Sequence, residues 1–510
     1  MTKMTTQSAP LPNRAGDARH IARSGVLQLL SAVGQSLMPV THILVARLFG
    51  RAVFGAYQAS VAVLDVLTRA GQVGSMGGMH RFIAAHRAAG QEDLTKRALG
   101  TGVRLTVVVS GILAVGLGLL ATPISRAWHE PSLSATLPIM APVVLLAATT
   151  LVLINATLGA KVARMSLYVR GIAEPLLLLA AVLLASRFGA SLRSLAIAHL
   201  GTALVVTGLA VAACARVFGG SYLRQALGAE RHPTFVRFAV PLGASDLMSA
   251  VLQRADTLLV ASFAGLDALA LYTAAEFVTR VIANPRYLFD YIIAPVVSEA
   301  LAAKDPARVR YNLALVTRWV VTACSPVAVT VVVLRAEILG LYGAAFVAGT
   351  GTLVILAINN WIVGCLGLTP YVLSMGGRSR LFLINNVCAA TVNIAIGLVL
   401  IPRLGISGAA IAVLISTGGL QVALTIQTWM LERVHPFTTS LLKPVGAALV
   451  SLAVEYTLRA SMHPGAERVT SVIVAGAISF LAALFVFGLA PEEREVVRKL
   501  VGRLRSWARR

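Results

Sequence analysis

The sequence predicts an all-α polytopic membrane protein with about fourteen transmembrane helices, built as two parallel six-helix repeats followed by two further helices. Three observations carry this. The chain is 57% hydrophobic and only 13% charged, with a mean hydropathy of +0.80, whereas soluble domains hold roughly 25% charged residues. Apolar stretches of about 20 residues, long enough to cross a ~30 Å hydrocarbon layer as a helix, recur along its whole length. The sequence also matches itself at an offset of 215 to 216 residues. Strand-type alternation is missing, which argues against a transmembrane barrel.

Residues 1–21 read as a polar cytoplasmic tail carrying Lys3, Arg14 and Arg19. The run from Ser24 to Ala46 holds no Asp, Glu, Lys or Arg and, by its length and without a convincing small-residue cleavage site, is expected to be the first span rather than a removed signal peptide. The spans centre near Val33, Val63, Gly111, Leu146, Leu178, Leu204, Val251, Val281, Thr322, Leu356, Asn393, Leu414, Leu452 and Phe480. A first lobe then covers 22–220, a cytoplasmic linker 221–234, a second lobe 235–432 and two additional helices 433–490. The last segment, 491–510, spaces Val497, Leu500, Val501, Leu504 and Trp507 along one face of a basic amphipathic helix. Such a helix lies on an anionic cytoplasmic leaflet.

A net charge of +23 suggests nucleic acid until its distribution is read. With both termini inside, most Lys and Arg fall in the tails and in inner loops such as "KVARMSLYVR" and "RVFGGSYLRQALGAERHPTFVR". This is the positive-inside bias of a membrane protein, and no nucleic-acid partner is expected. Cys214, Cys324, Cys365 and Cys388 sit in or beside spans without paired spacing, and read as small core residues rather than a disulfide or metal site.

The repeat is carried by two pairs of segments. "VARLFGRAVFGAYQASVAVLDV" (45–66) aligns without gaps to "VASFAGLDALALYTAAEFVTRV" (260–281), and "LASRFGASLRSLA" (184–196) to "LIPRLGISGAAIA" (400–412). Six helices separate the copies, and an even number of crossings returns the chain to the same side. The repeats are therefore parallel, with a central cavity expected between them and alternating access by rocking.

A charge at mid-bilayer costs about 2.5–3.5 kcal/mol, so charges that persist there face a cavity or a partner. Asp65 and Arg69 lie on the second span, Asp246, Arg254 and Asp256 on the seventh, and Glu276, Arg280, Arg286 and Asp290 on the eighth. Arg69, Arg254, Arg280 and Arg286 are candidates for an anion-binding substrate cavity, since guanidinium pairs bidentately with phosphate and keeps its charge. Asp65, Asp256, Glu276 and Asp290 are candidates for gating or for coupling to H⁺ or Na⁺. Asp65 with Arg69, and Glu276 with Arg280, are i, i+4 pairs that can meet on one helix face. Ser245, Ser249, Gln253 and Asp256 follow i, i+4, i+8, i+11 and are expected to form a polar stripe toward the cavity. The repeat aligns Asp65 with Arg280, an expected gate. Glu174 and Glu455 also fall within spans, but the repeat gives neither a role.

"ARLFGRAVFGAYQASVAVLDVLTRAG", "RADTLLVASFAGLDALALYTAA", "LSMGGRSR" and "NNVCAATVNIAIGLVLIPRLGISGAAIAVLIS" resemble, in order and from about residue 22 to 432, the polysaccharide-biosynthesis and O-antigen flippases. These form a branch of the multidrug/oligosaccharidyl-lipid/polysaccharide (MOP) exporter superfamily. The resemblance implies MATE-like lobes in a bacterial inner-membrane protein. It implies movement of a polyprenyl-diphosphate-linked oligosaccharide to the outer leaflet for O-antigen, capsule or exopolysaccharide assembly, with membrane lipids and other assembly proteins as partners. It makes Gly50, Gly55 and Tyr57 structural, and places Arg254 and Asp256 where the second lobe opens on the cavity. The copy departs from the glycine spacing at Ala270. No cofactor is implied.

Two rivals share the fold: a cation-coupled multidrug antiporter, whose cavity favours carboxylates and aromatics over arginines, and a lipid II flippase, which differs only in the glycan. A membrane glycosyltransferase or polymerase needs a large catalytic loop or a metal-binding acidic pair. The sequence has neither Asp-x-Asp nor a His/Cys cluster.

Overall fold

The computed structural model describes residues 37–287, 289, 293, 297, 299, 303, 305–375 and 379–488. The expected N-terminal and C-terminal tails, Asp290 and the first span's centre at Val33 lie outside the described residues. Among those residues there is no strand, and thirteen principal helices follow in order. They are α1 Leu37–Gln72, α2 Glu92–Leu119, α3 Ser132–Gly159, α4 Arg164–Arg187, α5 Leu192–Phe218, α6 Pro233–Phe263 and α7 Leu266–Arg280. After them come α8 Pro306–Val333, α9 Thr350–Leu366, α10 Ser379–Leu404, α11 Ile406–Glu432, α12 Leu442–Ser461 and α13 Ala466–Val486.

Twelve helices among the described residues are long and apolar enough to cross a membrane. Each coincides with one of the expected centres. The two centres left over are Val33, outside the described residues, and Val281, where α7 runs into a 3-10 turn at Val281–Ala283. The count among described residues is thus twelve rather than fourteen.

The outward surfaces of these helices are apolar. On α2, Val108, Ile112, Val115 and Leu119 share one face and are each more than half exposed. In water such a stripe would forfeit roughly 25 cal/mol for every Å² of apolar surface, so hydrocarbon is its solvent and the protein is a multi-pass membrane protein. Cys388 belongs to a similar stripe on α10, beside Ile384, Val387 and Val392, and is exposed, contrary to the expectation of four core cysteines. Its helix face decides its environment. Cys214, Cys324 and Cys365 are buried.

The chain divides into two compact units. One takes the described residues up to Leu48, then Val63–Arg126 and Glu130–Ala250; the other takes Phe49–Ala62, Ala127–His129 and the described residues from Val251. This division falls within α6, whereas the expected lobe boundary at 221–234 rests on the sequence repeat and is a separate division. In the first unit Met79, Phe82, Leu99, Val152 and Phe235 form a buried cluster under the Met79–Ile83 π-turn. Beside it the His232 Nδ1 accepts from the Phe235 backbone N–H (3.1 Å), its Nε2 lies 3.2 Å from His86 Nε2, and His86 Nδ1 lies 3.0 Å from Gln91 Oε1.

In the second unit Val309, Leu313, Val320, Cys324 and Leu368 are buried together, and α12 packs on α13 through Ala447, Phe480 and Leu484. The short segment Phe49–Ala62 enters this unit by close backbone approach: a Cβ on Gly55 would lie 2.0 Å from the Leu266 carbonyl oxygen. The Arg51 guanidinium bonds Asp267 at 2.7 Å in the first turn of α7, where negative charge complements the helix dipole. Trp128 donates its indole N–H to Ser262 Oγ at 3.1 Å.

The repeat survives in the backbone. Gly50 has φ 83° and ψ 169°, and Gly265, 215 residues later, has φ 87° and ψ 168°. Gly189 and Gly405, the other matched pair, also take positive φ, 111° and 58°, and each separates two helices. Only glycine enters this region without penalty.

Candidate functional site

The densest set of intramembrane charges lies in the second unit, on the α6–α7 hairpin. The turn at Ala264–Gly265 reverses the chain, so Asp256, nine residues before Gly265, comes level with Tyr272, seven after it. The Tyr272 hydroxyl donates to Asp256 Oδ2, and the Thr257 hydroxyl donates to Oδ1 at 3.4 Å. Tyr272 is fully buried and Asp256 nearly so. One turn further along α7, Glu276 accepts from Arg280 through Oε1, making the expected i, i+4 pair. Its Oε2 is buried and has no hydrogen-bond partner among the described residues. Arg280 is about half exposed, with its guanidinium 5.4 Å from the Phe277 ring centroid.

Arg254, Glu276 and Arg280 are charged neighbours of Asp256. Tyr272, Glu276 and Arg280 repeat every four residues, so hydroxyl, carboxylate and guanidinium climb one face of α7. Two carboxylates in a low-dielectric setting repel, and a proton or a monovalent cation between them relieves this.

The other candidates have neighbours of their own. Arg286 donates to the Val363 carbonyl at 3.3 Å, with its guanidinium 4.8 Å from the Tyr287 ring, so it is tied to the end of α9. Ser245, Ser249 and Gln253 are exposed on α6 whereas Asp256 is buried, so the four-residue stripe divides. Asp65 and Arg69 belong to the first unit, where Asp65 neighbours His199 and Arg69 neighbours Asp246. Asp290 lies outside the described residues. No group of three or more His, Cys, Asp or Glu positioned for a metal occurs among the described residues.

Tyr272 was available to sequence reasoning only as a repeat match to Tyr57. Its service to Asp256 depends on hairpin height, which the turn sets. His199 carried no signal at all, being one polar residue in an apolar span of α5.

The sequence profile of a family described as polysaccharide biosynthesis protein matches residues 21–299. No curated protein sequence matches the chain. Among solved structures, the lipid II flippase MurJ in an inward closed conformation superimposes with a TM-score of 0.70 at 14% identity, covering 92% of this chain and 99% of that one. An inward-facing multidrug resistance MATE family transporter of the MOP superfamily gives 0.65 at 14% identity, over 78% of this chain and 94% of that one. A MOP superfamily transporter from Pyrococcus furiosus, described as having a binding pocket of reverse polarity, gives 0.58 at 13% identity, over 80% and 94%. At these identities the likeness concerns the fold, which is that of MOP-superfamily transporters.

Proposed function

The chain belongs to the polysaccharide biosynthesis protein family, and on that premise we propose that it is a flippase, moving a polyprenyl-diphosphate-linked oligosaccharide across the bacterial inner membrane by alternating access. The observation that carries this reading is the charge ladder on α6 and α7, with Arg254 and Arg280 offering guanidinium to a diphosphate within largely apolar helices. Positive charge fixed on a helix recognises the diphosphate, common to all such carriers, while the glycan and polyprenyl tail can vary. No bond is made or broken in this step, so the protein needs no catalytic group.

Coupling belongs to the carboxylates. Asp256, held by Tyr272, and Glu276, with one oxygen unpartnered among the described residues, form the place to bind H⁺ or Na⁺ when the substrate's negative charge is absent. Arg69, Arg286 and Asp65 are retained as further cavity and gating residues. The excess of Lys and Arg in alternate loops supports an inner-membrane orientation with both termini cytoplasmic. Membrane lipids and other polysaccharide-assembly proteins are the expected partners.

The test is complementation in a strain lacking the gene. Wild type restores surface polysaccharide, whereas a normally inserted Arg254→Ala leaves the lipid-linked oligosaccharide on the inner leaflet. Unchanged surface glycan together with new sensitivity to cationic drugs overturns the reading in favour of a multidrug antiporter. Accumulated lipid II in place of the oligosaccharide reassigns the glycan.

A further inference from the structure

Outside the α6–α7 ladder one carboxylate is completely enclosed. Glu455, on α12, has no solvent exposure, and neither has Ser451 one turn before it. Around Glu455 Oε1 lie the hydroxyls of Ser451 at 3.0 Å and of Thr330, from α8, at 3.1 Å, while the Gly476 carbonyl of α13 lies 3.1 Å from Ser451 Oγ. Oε2 has no hydrogen-bond partner among the described residues. Gly476 makes the room: a Cβ there would lie 2.0 Å from Glu455 Oε1.

No described cation pairs with this carboxylate. Arg459, one turn along α12, gives its Nε to Glu337 at 3.0 Å, and Arg468 of α13 gives an Nη to the same Glu337 oxygen at 2.5 Å. Arg335, beyond the end of α8, donates to the Val332 carbonyl, and Glu467 is in the first turn of α13. The donor set around Glu455 is therefore one carboxylate, two hydroxyls and one peptide carbonyl. These are hard, oxygen-only ligands of the kind alkali and alkaline-earth ions select. The hydroxyl count agrees. Ser451 has one proton and two oxygens within reach, so with Glu455 ionised and the site empty one of those contacts sets lone pair against lone pair. A positive charge removes the conflict, whether it comes as an ion amid the oxygens or as a proton that Glu455 donates to Ser451.

We propose that Glu455, Ser451, Thr330 and the Gly476 carbonyl form a monovalent-cation site, taking Na⁺ or a proton, that joins α12 and α13 to α8 and is separate from the α6–α7 ladder. It stands whatever substrate the protein carries.

The experiment uses the full-length protein in lipid nanodiscs. Its unfolding temperature is followed as NaCl replaces choline chloride at constant ionic strength, and again as pH is lowered at fixed Na⁺. The difference between wild type and Glu455→Gln isolates this site from the ladder, since the amide matches the carboxyl in shape and cannot bind a cation in the same way. Wild type is expected to gain several degrees from Na⁺ or from acidification, and Glu455→Gln to lose that gain. Ser451→Ala, which keeps the carboxyl, is expected to weaken the Na⁺ response roughly tenfold in concentration, as loss of a supporting group does at metal sites. A gain from Na⁺ alone identifies sodium, and a gain from acid alone identifies the proton. Should Glu455→Gln fold poorly, an infrared band of a protonated carboxyl or a Na⁺-dependent carboxylate shift in wild type, altered in Ser451→Ala, supports the site in its place. Equal Na⁺ and pH responses in wild type and Glu455→Gln overturn the proposal, as does wild type without either infrared signal.

Discussion

Among the hydroxyls beside Asp256, that of Tyr272 is the nearer. Tyr272 reaches it from the opposite arm of the hairpin, whereas Thr257 is at the long limit of a hydrogen bond, 3.4 Å. Tyr272→Phe is therefore expected to destabilise the protein by about 1.5–3 kcal/mol, the range for a hydrogen bond to a charged group, and Thr257→Val by less. Denaturant titration of the two variants in detergent checks the order, and an unperturbed Tyr272→Phe would mean that Asp256 is supported by something else. At this scale the sequence showed which residues were costly, because an ionised side chain in an apolar span stands out by composition alone. It did not show which were partners. The i, i+4 pair of Glu276 and Arg280 was readable since one helix brings both together. Asp256 with Tyr272, sixteen residues apart, needed the geometry of the turn.

Between helices, the contact of His86 with His232 ties the short helical segment Ala84–Ala88, which precedes α2, to the start of α6. One pair of tautomers satisfies it: Phe235 N–H to His232 Nδ1, His232 Nε2–H to His86 Nε2, and His86 Nδ1–H to Gln91 Oε1. A further proton has no acceptor. Burial lowers the His232 pKa from its ordinary 6.5, and the neighbouring His86 and Arg97 lower it further, against a raising backbone hydrogen bond. Arg97 itself bonds Asp93 and Glu230 at 2.7 and 2.6 Å, and the Phe82 and Phe235 rings close the remaining sides. A folded pKa below the unfolded one means the unfolded chain binds more protons as pH falls. The contribution is thus complete above about pH 6.5 and is lost on acidification below it. Wild type should lose thermal stability below that pH more steeply than His232→Gln, and parallel curves would remove the His pair as the cause. Helix positions were legible from hydropathy with little loss. Their internal breaks, such as the π-turns at Met79–Ile83 and Leu167–Ala173, were not, because a single extra residue per turn leaves hydropathy unchanged.

For the molecule as a whole, exposed apolar stripes state where the hydrocarbon is. Ile112→Asp on α2 places a charge on such a stripe and is expected to cost about 2.5–3.5 kcal/mol, reducing the inserted protein recovered from membranes, while Ile112→Leu leaves recovery unchanged. Equal recovery of both would mean that this face is not in contact with lipid. The fold class and the duplication could be read from the sequence because hydrophobic length and repeated glycine spacing are properties of the chain itself. The two compact units could not be, since the chain's assignment changes within α6 and again for Phe49–Ala62, and no composition change marks either place.

The glycine pairs carry a consequence for descent. Gly50 and Gly265 keep one backbone shape, while Asp65 and Arg280, aligned by the same offset, hold opposite charges. A left-handed residue other than glycine costs roughly 1–2 kcal/mol, so the ancestral module could shed its side chains but not its bends. Lineages that acquire new cargo are expected to vary at 65 and 280 and to stay fixed at 50 and 265, with selection acting on each half's charge independently once the scaffold was doubled.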